Sequence, residues 1–319
     1  MARQTPPGVP QYVVDYAPVV YLHSQDPYRP SDIAAHLTHT QPDKDFAVVS
    51  GGPDPLTLDN LDQLNGLDGA NIYLTSKDDV TTDPAWLKGV TPTDGKTKNA
   101  IASVIITVDK GNGLLDAFYM YFYSWNYGGA VNIPILGVKN FGNHVGDWEH
   151  NMVRFQDGQP THAWYSQHAN GQAFTWSALQ KSGNRPIAFS ANGSHATYAT
   201  TGEHDHTIPN LVLPDGIFLI DYTDEGPVWD PTLNAWYYSY DNASKVFTPY
   251  EEGTPTAFLK FVGKWGDQQY PDDDPRQYVL FGQAKYSGGP IGPEDKDLGR
   301  EKVCPDNGND CIIRPTTLK

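Results

Sequence analysis

The chain has 319 residues, is 39% hydrophobic and 12% aromatic, and carries a formal net charge of −16. So acidic a balance repels polyanions over most of the surface, which sets nucleic acid and anionic lipid aside as default partners. No apolar run reaches the ~20 residues of a membrane-spanning helix, and 30 Gly, 26 Pro and 19 Tyr favour many short strands joined by turns.

In chain order, "APVVYLH" predicts a short strand, and Ser31 before "DIAAHL" is an N-cap signal for a short helix. From Gly51 to about Asn99 the chain reads as loop, with "WLKGVTPTDGKTKNA" as an exposed excursion. "AIASVIITVDKGNGLLDAFYMYFYSWNYG" gives two β-rich runs split by a turn, the second so aromatic that both its faces are expected to be buried. "GGAVNIPILGVKNFGN" reads as a long ordered loop. "DWEHNMVRF" and "HAWYSQHA" flank Asp157-Gly158, a hairpin turn. A run "RPIAFSANGSHATYAT" follows, and "GIFLIDY", "AWYYSY", "AFLKFVGKWG" and "QYVLFG" complete a series of short strands alternating with turns. The expected fold is a single mainly β domain, an antiparallel β-sandwich with a few short peripheral helices and long loops. Cys304 and Cys311 would form a disulfide pinning a tail from about residue 287, the alternative being two reduced thiols. A disulfide implies an oxidising compartment. "MARQTPPGVP" shows no apolar leader segment, so a processed chain and a never-secreted one both stay open; secreted or vacuolar is the expected location.

The stretch "FGNHVGDWEH", Phe141 to His150, crowds two histidines, an aspartate and a glutamate around a tryptophan. A hairpin symmetric about Asp157-Gly158 sets Glu149 opposite Ser166 and Asp147 opposite His168. Cross-strand partners share a face, so Asp147, Glu149 and His168 would form one polar cluster, with Trp148, His150 and Met152 on the other face. His144 sits in a glycine-flanked loop free to fold back. Such a cluster can hold a divalent cation, because carboxylate oxygens suit Mg²⁺, Ca²⁺ or Mn²⁺ and imidazole suits zinc. It can also act as an acid/base pair, with Asp147, Glu149 and His168 as the catalytic candidates. The plain alternative is a partly exposed strand end paired with Arg or Lys. His195 in "GSHATY" and His204 and His206 in the apparent loop "GEHDH" are further candidate ligands. No nucleophile elbow, phosphate loop or EF-hand spacing is present.

The segments "YAPVVYLHSQDPYRPSDI", "NHVGDWEH", "SQHANG" and "GSHATY" resemble the vacuolar protein sorting-associated protein 62 family of fungi and plants, over about Tyr12 to Tyr286. "YSWNYGG" followed by "NHVGDWEH" is also distantly similar to the heptapeptide region of necrosis- and ethylene-inducing peptide-like proteins. Those are secreted β-sandwich cytolysins that bind a divalent cation and recognise sphingolipid glycan head groups. By position the resemblance places His144, Asp147, Trp148 and Glu149 on that family's motif. Its second His falls on Gly146 and its Arg on Val145, and its upstream metal-binding Asp has no counterpart. His168, His195 or the "GEHDH" loop would then supply missing ligands.

The leading expectation is a divalent-metal-binding β-sandwich (Mg, Ca or Zn) that recognises a glycan or lipid head group, with Trp125, Tyr127 and Trp164 as aromatic contacts. The alternatives are a metal-assisted or carboxylate-pair hydrolase and a non-catalytic trafficking or structural protein. A monomer is expected.

Overall fold

The structure is a computed structural model that describes residues 5–205 and 219–317. Val19–Leu22 forms β1, Ser103–Asp109 β2, Leu114–Asn126 β3, His144–Gln156 β4, Gln159–Gln167 β5 and Asn170–Thr175 β6. Arg185–Ser190 forms β7, Thr197–Tyr198 β8, Gly202–Asp205 β9 and Ile220–Thr223 β10. Val228–Trp229 is β11, Ala235–Asp241 β12, Val246–Pro249 β13 and Ile313–Arg314 β14.

The aromatic run of β3 shows why the fold is mainly β. Its even positions, Phe118, Met120 and Phe122, enter one core. Its odd positions, Tyr119, Tyr121 and Tyr123, enter another. A strand with a period of two apolar residues on both sides can only be the middle of a covered sheet. It lies inside an eight-stranded sheet of order β13-β12-β2-β3-β4-β5-β6-β14, antiparallel except at β12–β2 and β6–β14. A smaller sheet built on β1, β7, β8 and β11, with β1 and β7 parallel, packs over the odd face. Short 3₁₀ turns, Leu61–Leu67 and Ala257–Lys260 among them, contribute Leu61, Leu64, Phe258 and Leu259 to the core over the other face. This is the expected sandwich, mainly but not wholly antiparallel.

Several local expectations need correction. The helix Ile33–Thr38 is capped by Asp32, whose carboxylate accepts from Ala35 N at 2.7 Å, one residue after the Ser31 signal. Ser31 is buried and its Oγ accepts from Ser124 N. The expected loop before "FGNHVGDWEH" is a β-hairpin, Ala130–Ile133 paired with Gly137–Asn140. "AFLKFVGKWG" is a 3₁₀ turn, not a strand. The described part of "GEHDH" is β9, paired with β10, not a loop. "WLKGVTPTDGKTKNA" is stitched inward, with Leu87 and Thr97 buried and Val90 N donating to Pro30 O.

The hairpin register starts as expected, with Pro160 opposite Phe155, and then slips by one. Pro160 brings no N–H to the ladder. Thr161 bulges and its Oγ1 donates to Arg154 O, so His162 faces Arg154 and Tyr165 faces Asn151. The expected pairs Glu149–Ser166 and Asp147–His168 are therefore not ladder partners. Cys304 and Cys311 form a disulfide, next to the segment that leads into the edge strand β14.

Candidate functional site

Asp147 and Glu149 occupy alternate positions of β4, opposite Tyr123 and Tyr121 of β3. They therefore point toward the smaller sheet, while Trp148 and Met152 enter the opposite core. Gly146 makes this end of the strand possible. Its φ is +66° and a Cβ there would lie 2.0 Å from Trp265 O, so the backbone crossing admits only glycine.

Both carboxylates are buried, and each uses one oxygen inside the protein. Asp147 Oδ2 lies 2.9 Å from His195 Nδ1. Glu149 Oε2 accepts a very short hydrogen bond from Ser166 Oγ, which itself accepts from His150 N. The bulge moved Ser166 out of register with Glu149, yet its side chain still reaches the carboxylate. Asp147 Oδ1 and Glu149 Oε1 take no hydrogen bond from the described residues. Both residues line a cleft of about 230 Å³ with His144, His168, Ser194 and Lys296 around them.

His195 lies beneath the cleft, fully buried, in a left-handed turn at φ 58° before β8. Its ring stacks on Tyr123 at 3.7 Å, and its Nε2 is 3.5 Å from Asp26 Oδ2. Burial opposes its charge, but the hydrogen bond to Asp147 and the charge of Asp26 outweigh it and raise its pKa. A further buried acid, Asp221 of β10, accepts from Ser194 Oγ at 2.6 Å and Tyr198 Oη at 2.6 Å, and pairs with His168 Nε2 at 2.8 Å. Burial again opposes the charge of His168, and Asp221 and Glu149 overturn it, so its pKa is raised. Burial, and then the charge of Asp147, push the Glu149 carboxyl up to about 7. Burial pushes the His144 imidazole down, and its Nδ1 is engaged by Gly146 O at 2.6 Å.

Thus His144, Asp147, Glu149 and His168 share one cleft, and His195 supports it from below. His168 arrives from the turn between β5 and β6, at φ 56°, and not by cross-strand register. His150 stays apart, as its face predicted, next to Arg300 in the opposite core. His204 does not join the cleft: it stacks on Tyr198 at 3.8 Å and lines a neighbouring cavity with Glu203 and Asp205. His206 lies outside the described residues. Trp125 and Trp164 are core residues at 5% and 4% exposure, not stacking surfaces. Tyr127 is the exposed one of the three, lying over Tyr28.

Against a divalent cation, the donor types fit but their spacing does not converge. Among the described residues no group of three or more His, Cys, Asp or Glu side chains is placed to hold a metal ion. What the cleft offers is two carboxylates and adjoining imidazoles.

A model of the family described as "Vacuolar protein sorting-associated protein 62" matches residues 7–207. The putative vacuolar protein sorting-associated protein TDA6 of Saccharomyces cerevisiae is 40% identical, over 94% of this chain and 69% of its own length. The chain belongs to the vacuolar protein sorting-associated protein 62 family. Vacuolar protein sorting-associated protein 62 of the same yeast is 36% identical, over 93% of this chain and 68% of its own length. Among solved structures, Necrosis and Ethylene inducing Protein 2 from the causal agent of cocoa's witches' broom disease gives a TM-score of 0.29 at 15% identity, over 62% of this chain and 71% of that one. The non-toxic HaNLP3 protein gives 0.29 at 11% identity, over 77% and 80%.

In this family member the sequence reading missed Asp26, Ser194, Asp221 and Lys296. Asp221 carried a usable signal, because a lone acid inside the apolar run "GIFLIDY" has to be paired if it is buried. Asp26 sits in an ordinary-looking turn, accepting from Tyr28 N and Gly193 N. Lys296 comes from the C-terminal segment, and nothing local to either residue points at the cleft.

Proposed function

We propose that the cleft binds a divalent cation together with an oxygen-rich head group, from a lipid or a glycan, and that the two are recognised jointly. One observation carries this reading: Asp147 and Glu149 each leave one oxygen without a hydrogen bond from the described residues while lining the same cleft. Two carboxylates without a third converged ligand suit a hard cation such as Mg²⁺ or Ca²⁺, which keeps water or takes ligand oxygens to complete its shell. They suit zinc less, since it favours four fixed N or S donors. His168 and Lys296 at the same cleft would meet an anionic part of the head group, while His144, held neutral with its Nδ1 donating to Gly146 O, offers its Nε2 as an acceptor. Titration calorimetry with Mg²⁺, Ca²⁺, Mn²⁺ and Zn²⁺ tests it. Uptake of Mg²⁺ or Ca²⁺ by the wild type, lost in Asp147→Asn and Glu149→Gln with the fold intact, is the expected result. No uptake of any of the four ions would end the reading.

A second reading, a carboxylate-pair hydrolase, is favoured by Glu149 alone. A carboxyl pushed up to about 7 beside a second acid is suited to donate a proton near neutrality. A panel of chromogenic glycosides and phosphoesters, with Glu149→Gln as the control, separates it from simple binding.

The compartment proposed is the lumen of the secretory and vacuolar route. The disulfide suits an oxidising space, and the yeast relatives are named for vacuolar protein sorting.

A further inference from the structure

Two β-hairpins border the cleft and carry apolar side chains at their tips. The hairpin Ala130–Asn140 exposes Ile135 (105%), Leu136 (50%) and Val138 (71%). The hairpin Val279–Ala284 exposes Val279 (38%) and Phe281 (41%). They run side by side. Tyr278 and Leu280 pack on the cluster of Val131, Ile133 and Phe141, and Tyr278 Oη donates to Asn140 O at 2.8 Å while accepting from Asn140 N. Lys139 and Lys285 both lie over the Tyr278 ring, at 5.3 and 5.7 Å. Phe141 and Gly142 continue one hairpin into the cleft wall, and Gln283 within the other and Ser287 just after it also line the cleft.

We propose that these paired tips dock this face of the molecule on the surface of a lipid bilayer, with Lys139, Lys285 and Tyr278 at head-group level. Scattered exposed apolar residues are ordinary, but clustered ones rimmed by polar groups mark an interaction surface. A protein partner of standard size needs roughly 800 Å² of complementary surface on each side. Five exposed side chains on two narrow hairpins, with Ile135, Leu136 and Phe281 at the turns, suit penetration of a soft interface better. An aromatic ring flanked by lysines beside apolar side chains is the composition of a membrane–water boundary. The charge balance names the kind of membrane. With −16 overall, the chain is repelled by strongly anionic lipid, so the tips act by apolar insertion into zwitterionic bilayers. The orientation brings the cleft to the head groups. Only this last point rests on the function proposed above.

Flotation of the full chain with phosphatidylcholine vesicles, and with vesicles of phosphatidylcholine and phosphatidylserine, tests the surface. The wild type is expected to float with pure phosphatidylcholine at least as well as with the anionic mixture. I135D combined with L136D is expected to lower partitioning about tenfold or more, and V246D, exposed on the edge strand β13, to leave it unchanged. A wild type that floats with neither vesicle would overturn the proposal, as would a tip variant that floats like the wild type. Light scattering that shows the tips closing a dimer in place of vesicle binding would do the same. Calcium titration of the tip variant keeps the two readings apart. A wild type that floats but takes up no cation removes the cleft reading and leaves the docking surface standing.

Discussion

His195 Nδ1 lies 2.9 Å from Asp147 Oδ2 while its ring is stacked face to face on Tyr123 at 3.7 Å. The imidazole is thus held on an aromatic face between two buried acids, Asp147 and Asp26, and its charge is their local counterweight. His195→Ala would strand both acids. Removing one partner of a buried ionic group costs about 3–5 kcal/mol, so a loss of that order is expected in urea unfolding at pH 6. The same link is pH-dependent. The folded pKa of His195 lies above 6.5, so the fold holds this proton more tightly than the unfolded chain. That stabilisation is complete below about 6.5 and is lost as pH rises through the folded value.

Glu149 gives a second pH dependence. Its carboxyl titrates at about 7 in the fold against 4.5 ordinarily. The stabilisation from its proton is complete below about 4.5 and is lost as pH rises through about 7. Glu149→Gln should therefore flatten the stability profile between pH 4.5 and 7 and be at least as stable as the wild type at pH 8. Thermal melts across that range measure it. Where a cation binds, its uptake by the wild type should tighten over the same interval, because ion and proton compete for one carboxylate.

Much of this was legible in the sequence, for reasons that can be named. The aromatic run Leu114–Asn126 fixed a doubly buried strand, and the period of two correctly sent Asp147 and Glu149 one way and Trp148, His150 and Met152 the other. The hairpin turn was placed correctly, but the bulge at Thr161 was invisible, since it depends on how a proline and a hydroxyl settle their hydrogen bonds. His195 and His168 sit at positive φ in turns, so no strand alternation could have aimed them. Asp26 and Asp221 reach the cluster only through tertiary contacts.

Gly146→Ala is expected to disturb the cleft without touching a charged group. Left-handed backbone strain at a non-glycine residue costs about 1–3 kcal/mol, and the added Cβ would press on Trp265 O at 2.0 Å. A lower melting temperature together with weakened ligand binding checks this, because Val145 and His144 follow the shift of the strand.

Replacing both Cys304 and Cys311 by Ser opens a short loop, at a cost of about 2–3 kcal/mol. The loss should be local. Ile313 pairs with Ala173 and Arg314 with Phe174 at the edge of the main sheet, so hydrogen exchange should speed first along β14 and β6.

Asp26, beside His195 beneath the cleft, and Asp147, Glu149 and Lys296, which line it, come from widely separated parts of the chain. During synthesis the strands bearing the two acids leave the ribosome long before the lysine does. A nascent chain therefore carries this acidic patch solvated and incomplete until the segment around Lys296 emerges. Shortened fragments chosen to isolate the "DWE" strand would lack the partners that give its carboxylates their character.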